Sequence, residues 1–121
     1  MAFKISFNAI HEIVNVIYSG IASLEERIQA VEDVCASYGD LKPLKILVNV
    51  RSLEMHLPLP EQKKFGKFLA DCQGLAHSRV AVLHKQSHNP NMLIDVIAFN
   101  NGYKLAEFIE QKDAEDWLVD I

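Results

Sequence analysis

Two short, almost uninterrupted apolar runs constrain the fold of this chain more than any other feature of its sequence. They are residues 46–50 (ILVNV) and residues 80–83 (VAVL). Runs of this length and composition are typical of strands that are covered on both faces, as in parallel sheets. Between them, residues 60–72 carry apolar side chains at helical spacing. Strand, helix and strand in this order predict a right-handed βαβ crossover, with both strands ending at one edge of the sheet.

The residues before this unit predict an antiparallel hairpin and a capped helix. Residues 4–8 alternate between polar and apolar side chains, and residues 13–19 are β-branched and aromatic, so both are predicted strands. The join between them is too short for a parallel crossover. Ser23 stands three residues before Glu26, the spacing of a capping box, and Gly39 is a natural helix stop. The predicted apolar face of this helix comprises Leu24, Ile28, Val31, Cys35 and Tyr38.

The remaining chain predicts a helix, a strand and a final helix. Residues 90–101 form the predicted helix, residues 105–109 the last strand, and Asp113 is expected to cap the closing helix. The side chains expected to share a face of that closing helix are Ala114, Trp117, Leu118 and Ile121. The sequence therefore predicts one α/β domain over residues 1–121: a mixed sheet of about five strands, the first antiparallel and the rest mostly parallel, with about four helices.

Composition narrows the classes of function. Half of the 121 residues are hydrophobic, which provides a core for one domain without metals or disulfides. The formal net charge of -4 argues against nucleic acid as the main partner, because phosphate binding needs a basic surface. Cys35 and Cys72 are expected to be small buried hydrophobes. The first residues lack the pattern of a signal peptide and no apolar stretch is long enough to span a membrane, so a cytoplasmic protein is expected.

Several motifs occur along the chain in a distinctive order. The hairpin leads into residues 19–26 (SGIASLEE), a strand runs into Asn49-Val50-Arg51, and residues 79–82 (RVAV) precede an ending of Phe108 and residues 113–118 (DAEDWL). In this order they resemble the SpoIIAA-like (STAS/SEC14-type) family of small bacterial proteins over nearly the whole chain. The resemblance implies a STAS-like fold and a regulatory or ligand-binding role instead of catalysis. Because SEC14-type domains carry lipids, it also implies an apolar ligand as an alternative.

One motif of the resembling family is incomplete in this chain. Anti-sigma-factor antagonists of the family carry a phosphorylatable serine in an Asp-Ser-Ser/Thr-Gly motif after the third strand. That place here reads Asn49-Val50-Arg51-Ser52-Leu53. Ser52 stands near the corresponding position, but the Asp and the Gly are missing, so we do not expect a phosphorylation switch.

Polar side chains that follow the predicted parallel strands form the candidate binding site. In open α/β sheets, ligands bind beyond the carboxyl ends of the strands. Arg51 and Lys85 would bind an anionic group there; alternatively, Arg51 forms a structural salt bridge with a carboxylate such as Glu54. The predicted binding residues at this edge are Asn49, Arg51, Ser52, His84 and Lys85.

The stretch from residue 53 to residue 60 (LEMHLPLP) is the most unusual part of the sequence, because large apolar residues alternate with polar ones or proline. If they face solvent, they form an apolar patch for a partner or a membrane, and the lysines at positions 63, 64 and 67 would suit an acidic lipid surface. If they fold inward, they cover the core or line a pocket. Met55 and Leu57 complete the predicted binding residues.

These observations lead to three hypotheses. The first is a non-catalytic module that contacts a protein partner through residues 53–67. The second is a carrier or sensor of a small apolar or lipid-like molecule, held in a cavity beneath the helix at residues 90–101. The third is a hydrolase or transferase that uses His84 or His56. A homodimer is compatible with the high apolar content.

Neither a catalytic set nor a metal site is predicted. His84 and His88 are four residues apart, but they follow a strand, as loop residues do, and no cysteine or carboxylate lies near them in the sequence. The chain has no G-x-S-x-G, P-loop or G-x-G-x-x-G motif. We therefore predict no catalytic residue, no cofactor and no enzymatic activity.

Overall fold

The computed structural model describes residues 2–54 and 57–120, and these form a five-stranded sheet with helices on both faces. The strands are β1 (Phe3–Asn8), β2 (Ile13–Gly20), β3 (Leu44–Leu53), β4 (Ser78–Leu83) and β5 (Leu105–Phe108). The helices are α1 (Leu24–Tyr38), α2 (Leu59–Asp71), α3 (Met92–Asn100) and α4 (Gln111–Val119), and a 3₁₀ turn at Gln73–Leu75 follows α2.

The strands lie side by side in the order in which they occur along the chain. β1 pairs antiparallel with β2, and β2 to β5 are parallel, which confirms the predicted mixed sheet and its βαβ unit. Because every crossover moves one strand in the same direction, right-handed connections place α1, α2 and α3 on one face of the sheet. We call this the first face. α4 packs against β3, β4 and β5 on the opposite side, the second face.

Each face of the sheet has its own core. The buried strand residues of the first face are Phe3, Val14, Val16, Tyr18, Leu44, Ile46, Val50, Leu53, Val80 and Val82. The core of the second face comprises Ile13, Leu47, Ala81 and Leu83 of the sheet with Ala114 and Leu118 of α4. α4 covers only part of this second face, since the side chain of Ile17 remains 39% exposed. The first face is the more fully covered of the two.

The end of β3 differs from the sequence-based prediction. We expected this strand at residues 46–50, but it continues to Leu53. Ile17 of β2 pairs with Asn49, whereas Ser19 pairs with Ser52, so β3 contains an extra residue in this interval. Such a bulge reverses which side chains face the core. Leu53 is consequently buried in the first-face core.

The start of α1 is confirmed and its buried face is partly different. Ser23 Oγ accepts a hydrogen bond from the Glu26 backbone N–H (3.2 Å), and Glu26 Oε1 accepts one from the Ser23 backbone N–H (3.1 Å), which is the predicted capping box. The most deeply buried residues of the helix are Arg27, Ala30 and Val34. The residues that we placed on the apolar face are only half-buried, because they flank this row.

The start of α4 corrects a second prediction. Glu110, not Asp113, occupies the position before the helix, and its side chain makes no capping hydrogen bond. Asp113 lies in the first turn, where a carboxylate interacts favourably with the helix dipole. Ile121, which we placed on the apolar face of this helix, lies outside the described residues.

Candidate functional site

The predicted binding residues of β3 lie on the second face of the sheet. Alternation along the strand places Asn49 on the same side as Leu47, which packs beneath α4. Asn49 Oδ1 accepts hydrogen bonds from the backbone N–H of Arg51 (3.0 Å) and from its guanidinium Nε (3.2 Å). Within residues 2–54 and 57–120, no ion pair joins Arg51 to Glu54. Ser52 is exposed beside them.

The predicted residues that follow β4 form a tight turn. The His84 backbone N–H donates to the Phe108 carbonyl (2.9 Å), which ends the pairing of β4 with β5. His84 Nδ1 lies 2.7 Å from the Lys85 carbonyl oxygen, the geometry of a ring N–H donating to it. Lys85 is exposed and forms a short antiparallel bridge with His88. Across the described part of the chain, no hydrogen bond connects this turn to Asn49 or Arg51, although Asn49 pairs with Leu83, the residue before His84.

The unusual apolar stretch after β3 folds partly inward. Leu57 is 5% exposed and packs with Phe65 of α2 and Ile94 of α3. Leu59, at the start of α2, is 53% exposed. Met55, which we predicted as a binding residue, and His56 lie outside the described residues. Leu57 is therefore a core residue in this structure, and the exposed apolar surface begins with Leu59.

A groove separates the starts of α2 and α3. It has a volume of about 610 Å³ and is open to solvent. Its apolar lining consists of Leu59, Pro90, Met92, Leu93 and Val96, and its polar lining of Gln62, Ser87, His88 and Asn89. We call it the α2–α3 groove. On α3, Met92, Val96 and Phe99 are spaced four and three residues apart, so they form one exposed apolar stripe along the helix.

The stripe continues past this groove into a second concavity. This smaller hollow, of about 240 Å³, is lined by Asp95, Val96, Phe99 and Asn100 of α3 and by Leu105 and Glu107 of β5. Val96 therefore lines both concavities and stands at the centre of the stripe. The sequence predicted a helix at residues 90–101 but not this exposed outer surface.

A small cavity lies inside the molecule, between the first face of the sheet and the three helices above it. Its volume is about 50 Å³, and its wall is mostly apolar. The polar residues in that wall are Tyr18, Asn91, Asp95 and Tyr103. Burial raises the pKa of both tyrosines above their ordinary value. These side chains are therefore neutral at physiological pH.

A seam of polar side chains, all of them buried except that of Glu107, borders the cavity. Arg27 Nη1 donates to Asn91 Oδ1 (2.9 Å), and Asn89 Oδ1 accepts from the Asn91 backbone N–H (2.9 Å). The Asn89 side-chain amide donates to Asp95 Oδ2 (3.4 Å) and to Glu107 Oε2 (2.5 Å). The seam therefore runs from α1 across the loop before α3 to β5.

Burial shifts the pKa values of two ionisable side chains of this seam, Asp95 and Arg27, in opposite directions. Burial, followed by the hydrogen bond and the negative charge of Glu107, raises the pKa of Asp95 to about 9. Burial lowers the pKa of Arg27, and Tyr18 opposes that change only when its phenol is ionised. An arginine side chain stays charged even so. At neutral pH the seam thus contains a neutral Asp95 and a positive Arg27.

Neither the two cysteines nor a cluster of metal-ligating side chains contributes to the candidate site within the described residues. Cys35 and Cys72 are free thiols and half-buried. Burial, and then the neighbouring Cys72 thiol, raises the pKa of Cys35 to about 11, which disfavours the reactive thiolate. In residues 2–54 and 57–120, no three side chains of the ligating types cluster as a metal site would require.

The comparisons with known proteins identify a fold. No family model and no curated protein matches the sequence. Among solved structures, the chain is similar to an uncharacterized protein of the DUF3478 family from Shewanella loihica PV-4, which has a SpoIIAA-like fold. The likeness has a TM-score of 0.62 at 18% sequence identity and covers 97% of this chain and 92% of the other. No described helix has both the length and the apolar content needed to cross a bilayer. The chain therefore has a SpoIIAA-like α/β fold.

Proposed function

We propose that this chain is a non-catalytic binding module, and that it binds an apolar, acidic segment of a partner protein on the outer face of α2 and α3. The observation that carries the proposal is the exposed stripe of Met92, Val96 and Phe99. α3 is apolar on nearly all sides, since the opposite row, which includes Ile94 and Ala98, is fully buried. A contiguous exposed apolar surface usually marks an interaction site.

The shape of this surface favours a protein segment as the occupant. Leu59 of α2 and Met92 of α3 border the α2–α3 groove, whose volume of about 610 Å³ can accept large side chains. A protein segment inserts side chains into such a concavity, and buried anchors of this kind dominate the affinity of most interfaces. A bilayer, in contrast, takes up side chains that project from a convex surface.

Charge favours an acidic partner. Lys63 follows Leu59 by four residues on the same side of α2, and Lys67 follows one turn later; both are exposed. The chain as a whole has a net charge of -4, so this is a locally basic border beside an apolar groove. Complementary charge guides association and selects partners. A second copy of the chain would bring the same lysines against each other.

The proposal keeps part of the predicted contact segment and extends it. Leu59 and Gln62 of the predicted 53–67 segment line the α2–α3 groove, whereas Leu57 is in the core. The catalytic hypothesis gains no support, because the ring of His84 is bonded to a backbone carbonyl and His56 lies outside the described residues.

The test is a Val96→Asp variant compared with Ile10→Asp. Both place a carboxylate at an exposed apolar position, but Ile10 lies at the distant β1–β2 turn and is 87% exposed. Partner proteins captured from the host by the tagged chain should be reduced at least about tenfold by Val96→Asp and unchanged by Ile10→Asp. Lys63→Glu and a rise in salt should each weaken capture of the same proteins.

Three outcomes would overturn the proposal. One is capture that is equal for wild type and Val96→Asp while circular dichroism shows both folded. Another is binding to anionic phosphatidylserine vesicles that Val96→Asp abolishes, with no protein captured, which assigns the stripe to a membrane. The last is a dimer in light scattering that Val96→Asp dissociates, which assigns it to a second copy.

The lipid-carrier alternative meets a limit of size. An engineered protein cavity of about 150 Å³ accommodates benzene. The internal cavity here, about 50 Å³, is much smaller than a lipid chain requires. A much smaller ligand is compatible with it.

A further inference from the structure

We infer that Arg27 anchors an internal binding site for a short-chain carboxylate, distinct from the α2–α3 groove. Arg27 is 1% exposed and lies in the buried row of α1. A charge so deeply buried is costly unless it is paired and fully hydrogen-bonded. The guanidinium group of Arg27 lacks one hydrogen-bond partner and a counterion among the described residues.

The hydrogen bonds of the guanidinium are incomplete. Nε donates to the Ala22 carbonyl oxygen (3.2 Å) and Nη1 to Asn91 Oδ1 (2.9 Å). Nη2 is buried and finds no hydrogen-bond partner among residues 2–54 and 57–120. Both acceptors that Arg27 does use are neutral, so its charge has no counterion in that part of the chain. An anion at Nη2 would satisfy the free donor and the charge together.

The cavity of about 50 Å³ lies next to groups that Arg27 contacts, although Arg27 is not itself in the cavity wall. Two residues that contact the guanidinium also line the cavity: Asn91, through its hydrogen bond, and Tyr18, whose ring centre lies 5.8 Å from the guanidinium carbon. Ala30, one helical turn after Arg27, is in the cavity wall as well. Tyr18 is near the carboxyl end of β2, the edge of an α/β sheet at which ligands bind. A ligand can therefore place its charge at Arg27 and its apolar body in the cavity.

Charge and size define the ligand class. A carboxylate carries one negative charge and has the planar geometry that matches a guanidinium, whereas a phosphate dianion exceeds what one arginine balances. Asp95, also in the cavity wall, is neutral at physiological pH and does not repel an anion. Compared with the roughly 150 Å³ that holds benzene, this cavity suits an alkyl group of about two carbons.

Propanoate, propanamide and 1-propanol are the ligands for the test, because they share a small alkyl body and only propanoate is charged. Binding is measured by titration while the Nε–H signal of Arg27 is followed in ¹H–¹⁵N spectra. We expect propanoate to shift that signal and to bind at least about tenfold more tightly than the two neutral compounds. Arg27→Met, which keeps the length and removes the charge, should abolish this preference.

Lys4→Met is the matched control, since it removes one positive charge at an exposed position of β1. It should bind propanoate as the wild type does. The inference is overturned if propanoate and 1-propanol bind equally, if neither perturbs the Arg27 signal, if sodium chloride perturbs it as strongly as propanoate, or if Arg27→Met retains the preference. If Arg27→Met fails to fold, the affinities of the three compounds for the wild-type protein are sufficient to test the inference.

Discussion

Asp95 and Arg27 are two buried ionisable side chains of the same polar seam. Asp95 is neutral at physiological pH, whereas Arg27 is charged. Asp95 is next to Glu107, and a proton shared near the two carboxyl groups removes the repulsion between them. Arg27 has no carboxylate partner in residues 2–54 and 57–120, and keeps its charge beside neutral amide and carbonyl oxygens. Asn91 and Asn89 separate the two groups. The seam thus holds a neutral acid at one end and a cation at the other.

Asp95 should make the stability of the protein depend on pH. Its pKa in the folded state, about 9, is above the ordinary aspartate value of about 3.9. Between these values the folded chain binds a proton that the unfolded chain has lost. The contribution is therefore fully present below about pH 4 and falls as pH rises towards about 9, by at most about 1.4 kcal/mol per pH unit.

Asp95→Asn tests this dependence by urea unfolding between about pH 5 and about pH 8. The amide cannot ionise, yet it can still donate to Glu107 and accept from Asn89. The free energy of unfolding of the variant should decline less with pH than that of wild type, and should exceed it at the upper end of the range. Parallel pH profiles for the two proteins would contradict the assignment.

At the scale of elements, α2 and α3 approach each other at Gly66. A Cβ atom built on Gly66 would lie 2.7 Å from Ile97 Cγ2 and 3.2 Å from the Ile94 carbonyl oxygen. The first distance is shorter than real carbon contacts, and the second group belongs to the backbone of α3. The glycine therefore allows the two helices to pack closely enough to frame the α2–α3 groove.

Gly66→Ala should destabilise the protein by about 1–3 kcal/mol, because it forces the two helices apart. The usual effect of Gly→Ala in a helix is stabilisation by up to about 1 kcal/mol. The sign of the change in the free energy of unfolding therefore distinguishes close helix packing at Gly66 from this usual effect. The measurement is the midpoint of urea unfolding, compared between proteins whose free energy of unfolding depends equally steeply on urea concentration. An increase in the midpoint would show that α2 and α3 are not held at this distance.

The elements themselves were largely predictable, because their signals are local. Sequence analysis identified the hairpin, the capping box of Ser23 and Glu26 and the parallel unit of β3 and β4, all of which the structure confirms. The bulge in β3 was not predictable, since a register shift depends on the neighbouring strand. It carries the strand through residues 51–53, where we expected a loop.

The candidate site was less predictable for a related reason. Arg27 was not among the residues predicted for the apolar face of α1, and charged residues are seldom fully buried, although its spacing from Ala30 and Val34 could have indicated the buried row. In α3, apolar residues surround the helix, so periodicity could not separate Ile94 from Val96. Asp95 is the single acidic residue of this helix, and its presence could have indicated that α3 also forms buried polar contacts.

At the scale of the whole molecule, two cores share one sheet. The first-face core lies beneath α1, α2 and α3, and the second-face core beneath α4. β3 and β4 contribute side chains to both, so neither core can be lost while the other keeps its sheet. A domain built in this way is expected to unfold in one cooperative step.

Trp117, the sole tryptophan, tests this cooperativity because it lies on α4 and contacts Phe108, with ring centres 5.7 Å apart. Ile94→Ala, on the opposite face, and Leu118→Ala, beside Trp117, should each destabilise the protein by about 2–5 kcal/mol. Both variants should shift the urea midpoint seen by Trp117 fluorescence, and far-UV circular dichroism should report the same midpoint. A fluorescence transition unaffected by Ile94→Ala would mean that the two faces unfold separately.

The order of strands in the sheet has a consequence for biosynthesis. Since each strand lies beside the one that precedes it in the chain, a strand emerging from the ribosome meets an edge that has already formed. Chains whose contacts are close in sequence fold faster than those that must wait for distant segments. The sheet can thus be assembled strand by strand while translation continues, and α4 can cover the second face once β5 has paired.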